Sequence, residues 1–373
     1  MGGQMDGRMD GQIGSTKPVM GITDIAEAIA WQAQHAEEAG APITGRVVRA
    51  QLAILRGPST LGARIAGWPG LSLEDAMPLR VAGGLHFLHL SGAEPKLAGV
   101  YSGAVSDQSE VDAIVARAAL QFDEELCGWL ESPPQTNEAG RSSCVMAGLL
   151  WLAGRIGPEF ELIEIGASAG INTMMHRYAY DLGGTLAGPQ DSPMLLKPEW
   201  RGEAPPRADL RIASVKGCDI APVDLTDPEQ SLRLKAYIWA DATERMVRME
   251  TAIAMAHECP PDLVAADALA FVHEQLAHPQ AEGRARVLFH SVMWQYLPQE
   301  TRAAITAAME AAGAEATADR TLGWIRVETN RATFRHELTV RYWRGQSEEG
   351  GGDWVQLAEA HPHGAWVAWQ GAG

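Results

Sequence analysis

Disulfide chemistry is the first thing this chain lacks. Its four cysteines, Cys127, Cys144, Cys218 and Cys259, stand far apart with no Cys-x-x-Cys pair. That spacing excludes a disulfide framework and a thiolate zinc site, and leaves them as small buried hydrophobes. Basic charge is also short: 30 Lys and Arg stand against 47 Asp and Glu, for a net charge of −17. A general nucleic-acid binder needs a basic face, so no nucleic-acid partner is expected. No apolar run approaches the roughly 20 residues of a membrane span, so no membrane partner is expected either. Residues 1–19 carry Gly, Met, Asp6 and Asp10 but no apolar h-region. They read as a disordered tail and not as a signal peptide. No internal repeat is present. These absences fit a cytoplasmic protein; acidic charge does not choose between a small-molecule and a protein partner, and a small-molecule substrate is the expectation.

What is there is apolar and divided. Apolar residues make up 46% of the 373, enough for a large core and for two domains or one extended one. Residues 20–157 show helical spacing throughout, with no period-two stretch of strand length, and predict a helical N-terminal domain or lid. Helices are expected over 24–38, 45–55, 73–90, 107–130 and 137–156. From 158 to 373 strands alternate with helices. Strands are expected at 161–166, 210–219, 262–266, 286–292, 322–328 and 337–343, with a last one at 354–358 or 365–369. A Gly- and Pro-rich insertion at 181–209 reads as a hairpin, and 348–352 as a solvated loop.

The densest signal is Glu161-Leu-Ile-Glu164-Ile-Gly166-Ala-Ser168-Ala-Gly170-Ile-Asn172. It predicts a buried strand ending in an acid, a Gly-rich turn, and a helix over 171–180. Gly166 and Gly170 lack Cβ atoms and let backbone N–H groups approach a ligand. An α/β fold presents a nucleotide-like cofactor in this way, at the carboxyl end of its sheet. The dinucleotide fingerprint Gly-x-Gly-x-x-Gly does not fit, because position 168 is Ser and the last Gly comes one residue early. Two patterns do. Glu164-Ile-Gly166-Ala-Ser168-Ala-Gly170 resembles the first motif of class I S-adenosylmethionine-dependent methyltransferases. Gly166-Ala-Ser168-Ala-Gly170 also resembles the nucleophile elbow of α/β-hydrolases.

The order of the later elements favours the first. A hydrolase needs several strands before its nucleophile strand, and here helices precede it. Gly217-Cys-Asp219 resembles the end of the second methyltransferase strand, Val264-Ala-Ala-Asp267-Ala268 the third, and Val287-Leu-Phe-His290 running to Tyr296 the fourth. The resemblance spans about 158–370. It implies a Rossmann-like class I methyltransferase-type sheet behind an all-helical N-terminal region, with S-adenosylmethionine as cofactor. On the same terms, Glu164, Gly166, Ser168, Gly170 and Asn172 would cradle the donor's amino-acid part. Asp219 would take the ribose, and Asp267 with the Ala268 N–H the adenine. The whole chain also resembles a bacterial family known only as a domain of unknown function. Its marks are the 164–170 motif running into Arg177-Tyr-Ala-Tyr180, then Asp219-x-x-Pro222-Val-Asp224-Leu-Thr-Asp227-Pro228, then His290-Ser291.

Each residue also has a plainer reading. The glycines serve a tight turn, Asp219 caps a loop, and Asp267 is an N-cap. His290 is a candidate general base or a core histidine, and Tyr296 a second candidate base. Trp294 is a pocket wall. Asn137 and Arg141, one helical turn apart, are candidate substrate contacts, since arginine reads carboxylates bidentately, or members of a solvated helix face. His86 and His89 have metal-ligand spacing but no acids to match, so no metal is expected. His361 and His363 read as a turn between late strands. Two other functions compete: a serine hydrolase using Ser168 with His290 or His361, and a non-catalytic metabolite-binding protein. No Asn/Asp-Pro-Pro-Tyr/Phe acceptor motif is present, which disfavours methylation of base or glutamine nitrogens.

Overall fold

The computed structural model describes residues 22–331, 333, 335–345 and 352–371. The expected tail at 1–19 and most of the loop at 348–352 lie outside the described residues. The chain divides into two compact units, one of residues 22–134 with Trp239–Asp241, the other of Gln135–Ile238 with the chain from Ala242 onward.

The first unit is helical: α1 (Ile25–Glu38), α2 (Pro42–Arg56), α3 (Thr60–Ala66), α4 (Met77–Leu90), α5 (Leu97–Tyr101), α6 (Gln108–Gln121) and α7 (Asp123–Gly128). Its core gathers Ile29, Val48, Ile54, Leu61, Leu85 and Val111, each almost without exposure. The single long helix expected over 107–130 is broken at Phe122, where φ is −113° and ψ 34°. The break has a cause. Asp123 turns its carboxylate to the N–H groups of Thr60 and Leu61, at 2.7 Å each, which α3 leaves unsatisfied. Asp241 does the same for α2, accepting from the N–H groups of Ile43 and Thr44 at 2.9 Å. That carboxylate is why three residues from late in the chain belong to this unit.

The second unit opens with α8 (Ser142–Ile156) and β1 (Glu159–Ile165), then β2 (Ala179–Leu182), β3 (Thr185–Ala187), β4 (Leu195–Leu196), β5 (Glu199–Arg201) and β6 (Arg211–Asp219). It continues through α9 (Pro228–Ala236), α10 (Thr243–Glu258), β7 (Leu263–Ala265), α11 (Ala268–Ala277), β8 (Arg284–Ser291) and α12 (Gln299–Ala314). Strands β9 (Arg320–Thr329), β10 (His336–Trp343), β11 (Val355–Ala360) and β12 (Trp366–Trp369) complete it. Nine strands form one sheet in the order β5-β12-β11-β10-β9-β8-β1-β6-β7. The block β7-β6-β1-β8-β9 is parallel throughout. Numbered by appearance within that block, its order is third, second, first, fourth, fifth, the arrangement of a doubly wound nucleotide-binding sheet. Beyond β9 the sheet departs from it: β10, β11 and β12 follow as an antiparallel meander, and β5 pairs parallel with β12.

Period-two patterning sets the two faces. Phe160 and Leu162 of β1 join the core under α8, whereas Ile163 and Ile165 join the core under α11 and α12. Helix α8 is buried nearly all round and packs on β9 and β10, so it groups with the sheet. The change in sequence pattern at 157/158 is a change of element type, while the boundary in packing lies at 134/135.

The helix expected over 171–180 is absent. After the Gly-rich segment the chain makes turns and a short 3-10 stretch, Met175–Arg177, and is already in β2 at Ala179. Two buried tyrosines account for this: Tyr178 Oη donates to the carbonyl of Ile171, and Tyr180 Oη to that of Met175. Those hydroxyls take carbonyls a helix would use, and Asn137 Oδ1 takes the N–H of Ile171 at 2.8 Å. The 181–209 insertion contains the expected hairpin, β2 with β3, and β4 joins β2 in a separate three-stranded sheet.

Candidate functional site

Strands β1 and β8 are neighbours, but the chain leaves them in opposite directions, toward β6 and toward β9. Such a switch point is where doubly wound sheets bind ligands, outside the carboxyl ends of the strands. Here both ends are strained. Among the described non-glycine residues only Ala76, Ser168 and Val292 have positive φ; Ser168, at 54°, lies in the loop after β1, and Val292, at 52°, directly follows β8. Strain of this kind costs on the order of 1–3 kcal/mol and collects at functional sites. The two loops also touch. Gly166, at φ 65°, lies under Met293, and a Cβ there would come within 2.7 Å of that side chain. Glycine is therefore needed at 166 both for its backbone and for this contact.

The three acids differ in environment. Glu164 is 1% exposed and accepts a 2.6 Å hydrogen bond from Thr173 Oγ1. Burial, reinforced by Asp219 and opposed by Thr173 and Arg141, pushes its carboxyl up to about 8, so it is largely protonated at neutral pH. Asp219 is half-buried and holds the turn, accepting from the N–H groups of Ser168 at 2.8 Å and Ala221 at 3.0 Å. Asp267 is exposed and caps α11 through the N–H groups of Leu269 and Ala270, with Ala268 as the first helical residue.

On β8, His290 is wholly buried. Its Nδ1 lies 2.6 Å from Glu328 Oε1 on β9, and its ring stacks on Trp294 at 4.8 Å. Glu328 also accepts from the N–H groups of Met293 and Trp294, at 3.2 and 3.3 Å. Burial holds the imidazole below its ordinary pKa, against the pull of Glu328. A neutral ring with Nδ1–H on the carboxylate leaves Nε2 as the free acceptor, and Nε2 has no partner among the described residues. Arg326, two residues before Glu328, lies over Trp354 with its guanidinium 4.4 Å from the ring centroid. Tyr296 is 74% exposed in the 3-10 stretch Trp294–Tyr296.

A third segment enters beside these loops. Asn137 binds the Ile171 N–H, and Ser142 Oγ donates to Asn172 Oδ1 at 2.7 Å. Glu138 is paired with Arg245 at 2.7 Å and Arg248 at 2.8 Å. Burial works against its charge, but the two arginines outweigh that and hold its carboxyl below the usual range. Gly140 and the 363–364 backbone leave no room for a side chain between them, since a Cβ on Gly140 would come within 2.6 Å of His363 O and one on Gly364 within 2.4 Å of Gly140, and Arg141 Nε donates to the Pro362 carbonyl at 2.9 Å. The adjoining His363 is pushed down to about 2, by burial first and then by Arg245 and Arg141, so it is neutral at physiological pH. The 361–364 turn follows β11, whose end pairs with the start of β10 beside the carboxyl end of β9.

The expected residues Glu164, Gly166, Ser168, Asn172, Asp219, Asn137, His290 and Trp294 are thus joined by contacts around one end of the sheet. Arg141 lies near enough to Glu164, Glu328 and Tyr296 to shift or feel their charge. Asp267 stands apart as a cap, and Gly170 packs against Pro261 and Leu263. His86 and His89 flank Tyr101 in ring stacks within the helical unit. No group of three or more metal-ligating side chains occurs among the described residues. Sequence reasoning missed Glu328 and Thr173. A carboxylate in the otherwise buried strand β9, two residues after Arg326, was the available signal. An open pocket of about 400 Å³ lies next to this site, sharing Gly140 and Gly364 and lined otherwise by Leu195, Lys197, Val247 and Arg248. It contains none of the switch-point residues.

A family model described as "Uncharacterized protein conserved in bacteria (DUF2332)" matches residues 26–369. No curated protein and no solved structure matches the chain.

Proposed function

The chain belongs to that bacterial family, and we propose that it is an S-adenosylmethionine-binding, methyltransferase-like enzyme acting on a small-molecule acceptor. One observation carries the reading. A Gly-rich turn and a buried His–Glu pair stand on adjacent strands at the switch point of a third-second-first-fourth-fifth parallel block. Three buried polar atoms there, Ser168 Oγ, Asn172 Nδ2 and His290 Nε2, have no partner among the described residues, which suits a polar ligand.

The fit assigns roles that differ in part from the motif's. No helix follows β1, and the N–H groups of Ala167, Ser168, Gly170 and Ile171 are already donated within the fold, so the turn offers Ser168 Oγ and not a helix dipole. Glu164, neutral and bonded to Thr173, stiffens the turn and is unsuited to an ammonium partner. Asp219 spends two acceptor positions on the turn and keeps others for a ribose, since a carboxylate has about four. The cofactor supplies the methyl group. The chain's part is to align donor and acceptor, which gives much of the rate, and to remove a proton through His290 Nε2 with Glu328 fixing the tautomer.

The test is calorimetric titration of the purified protein with S-adenosylhomocysteine. The expected result is micromolar, one-site binding. A folded protein that takes up none contradicts the reading. The positive φ of Ser168 favours a second reading, a serine hydrolase. Its Oγ has no histidine within hydrogen-bond reach among the described residues, and labelling by a serine-directed phosphonate, lost in Ser168→Ala, would support it.

A further inference from the structure

The other two buried arginines among the described residues make more hydrogen bonds than Arg141 does. Arg286, 6% exposed, donates to the carbonyls of Gln275, His278 and Pro279 and to the carboxylate of Glu161. Arg80, 9% exposed, donates to the carbonyls of Asp75 and Leu130. Arg141 is at least as buried, at 5% exposure, yet among the described residues it forms no ion pair and donates one hydrogen bond, from Nε to Pro362 O. Its two terminal nitrogens are left over. A buried charge without a counter-ion is costly, and folds avoid it unless something else supplies the anion.

The neighbours do not supply it. Glu138, three residues earlier, is already committed to Arg245 and Arg248. Glu164 is largely protonated at neutral pH. Glu328 is committed to His290 and two backbone N–H groups. His363, beside the Pro362 carbonyl that anchors Arg141, is neutral, and its Nδ1 is buried without a partner among the described residues. The anchors also fix where the guanidinium sits. The 137–142 segment is tied to Ile171 and Asn172 on one side and to the 361–364 turn on the other, so Arg141 is held at the mouth of the switch point.

We infer that Arg141 is the carboxylate-recognition residue of this site, presenting its two terminal nitrogens as a fork to a carboxylate of the bound small molecule. The planar fork matches a carboxylate bidentately, which a lysine cannot do. The carboxylate has two sources: the amino-acid end of the methyl donor, or the acceptor. The donor source rests on the function proposed above, and the acceptor source does not.

Two titrations of the whole chain separate them, each on the parent, Arg141→Gln and Arg141→Lys. The first compares S-adenosylhomocysteine with its decarboxylated analogue by calorimetry. The second compares benzoate with benzamide by saturation-transfer NMR. A donor carboxylate at Arg141 gives the parent a preference of about ten- to a hundredfold for the carboxylated ligand, the scale of a charged hydrogen bond. That preference collapses in Arg141→Gln and is only partly kept in Arg141→Lys. Because the readout is a ratio within each variant, general loosening of the site does not imitate it. An acceptor carboxylate gives no donor preference but a benzoate signal that benzamide lacks and Arg141→Gln loses. Loss of that signal with no binding of S-adenosylhomocysteine keeps the inference and removes the cofactor. Ratios and signals alike in all three proteins overturn it.

Discussion

Glu164→Gln will gain stability relative to the parent chain as pH rises from about 4.5 to 8, and the advantage will level off above that. In the folded state burial lifts the Glu164 carboxyl from an ordinary 4.5 to about 8. A group whose folded pKa is raised gives its full stability below the unfolded value and loses it as pH climbs through the folded one. The window is therefore about pH 4.5 to 8, within which folding must take up a proton, at about 1.4 kcal/mol per pH unit. Glutamine is neutral throughout and can still accept from Thr173 Oγ1 through its amide oxygen. Denaturant unfolding at pH 5, 6.5 and 8 should show the parent falling relative to the variant, by several kcal/mol over the series. The depressed His363 has the opposite sign, its penalty fading as pH rises toward 6.5 and absent above it, but it acts equally in both proteins and cancels from the difference. Parallel profiles would mean that Glu164 is ionised in the fold, and the wall of the site would then carry a charge.

Glu328→Ala will be the most damaging single change at the switch point. One carboxylate serves three donors: the buried His290 Nδ1–H and the part-buried backbone N–H groups of Met293 and Trp294. Each donor stranded away from water costs about 1–3 kcal/mol, so a loss of about 3–5 kcal/mol is expected, shared with some relaxation of the 291–296 loop. Glu328→Gln keeps one acceptor oxygen but not the charge, and should retain most of the stability. It should nevertheless behave as a poor catalyst, because an amide can equally donate to the ring and favour the wrong tautomer, leaving Nε2 protonated. Unfolding free energies for both variants, read beside the NMR tautomer state of His290 in Glu328→Gln, check this. Equal stabilities for alanine and glutamine would mean that water already satisfies those donors.

The parallel block was legible because its strands obey short-range rules. β1, β7 and β8 are short apolar segments stopped near Gly166, Asp267 and Ser291, and they, like β6 and β9, each lie close to their expected places. The hairpin of 181–209 was legible for the same reason, from Gly183 and Gly184. The missing helix after β1 was not, because the competition comes from side chains at a distance. Tyr178 and Tyr180 hydroxyls and the Asn137 amide take backbone groups that local spacing assigns to a helix. The break at Phe122 has the same origin, since Asp123 answers to the amides of Thr60 and Leu61, 63 and 62 residues earlier. In the site, Glu164, Ser168, Asn172 and His290 were found through motif order, while Glu328 needed the register of β8 on β9, which no single segment encodes. Asp267 shows the converse: a motif position whose carboxylate is spent on the first turn of α11.

The most direct test of the account is amide hydrogen exchange with and without S-adenosylhomocysteine, since it asks where a ligand binds as well as whether it binds. Protection is expected to concentrate in 166–172 and 291–296, the loops that follow β1 and β8. Binding with protection elsewhere and none in these two loops would contradict the switch-point site. A folded protein with no change anywhere would contradict the cofactor.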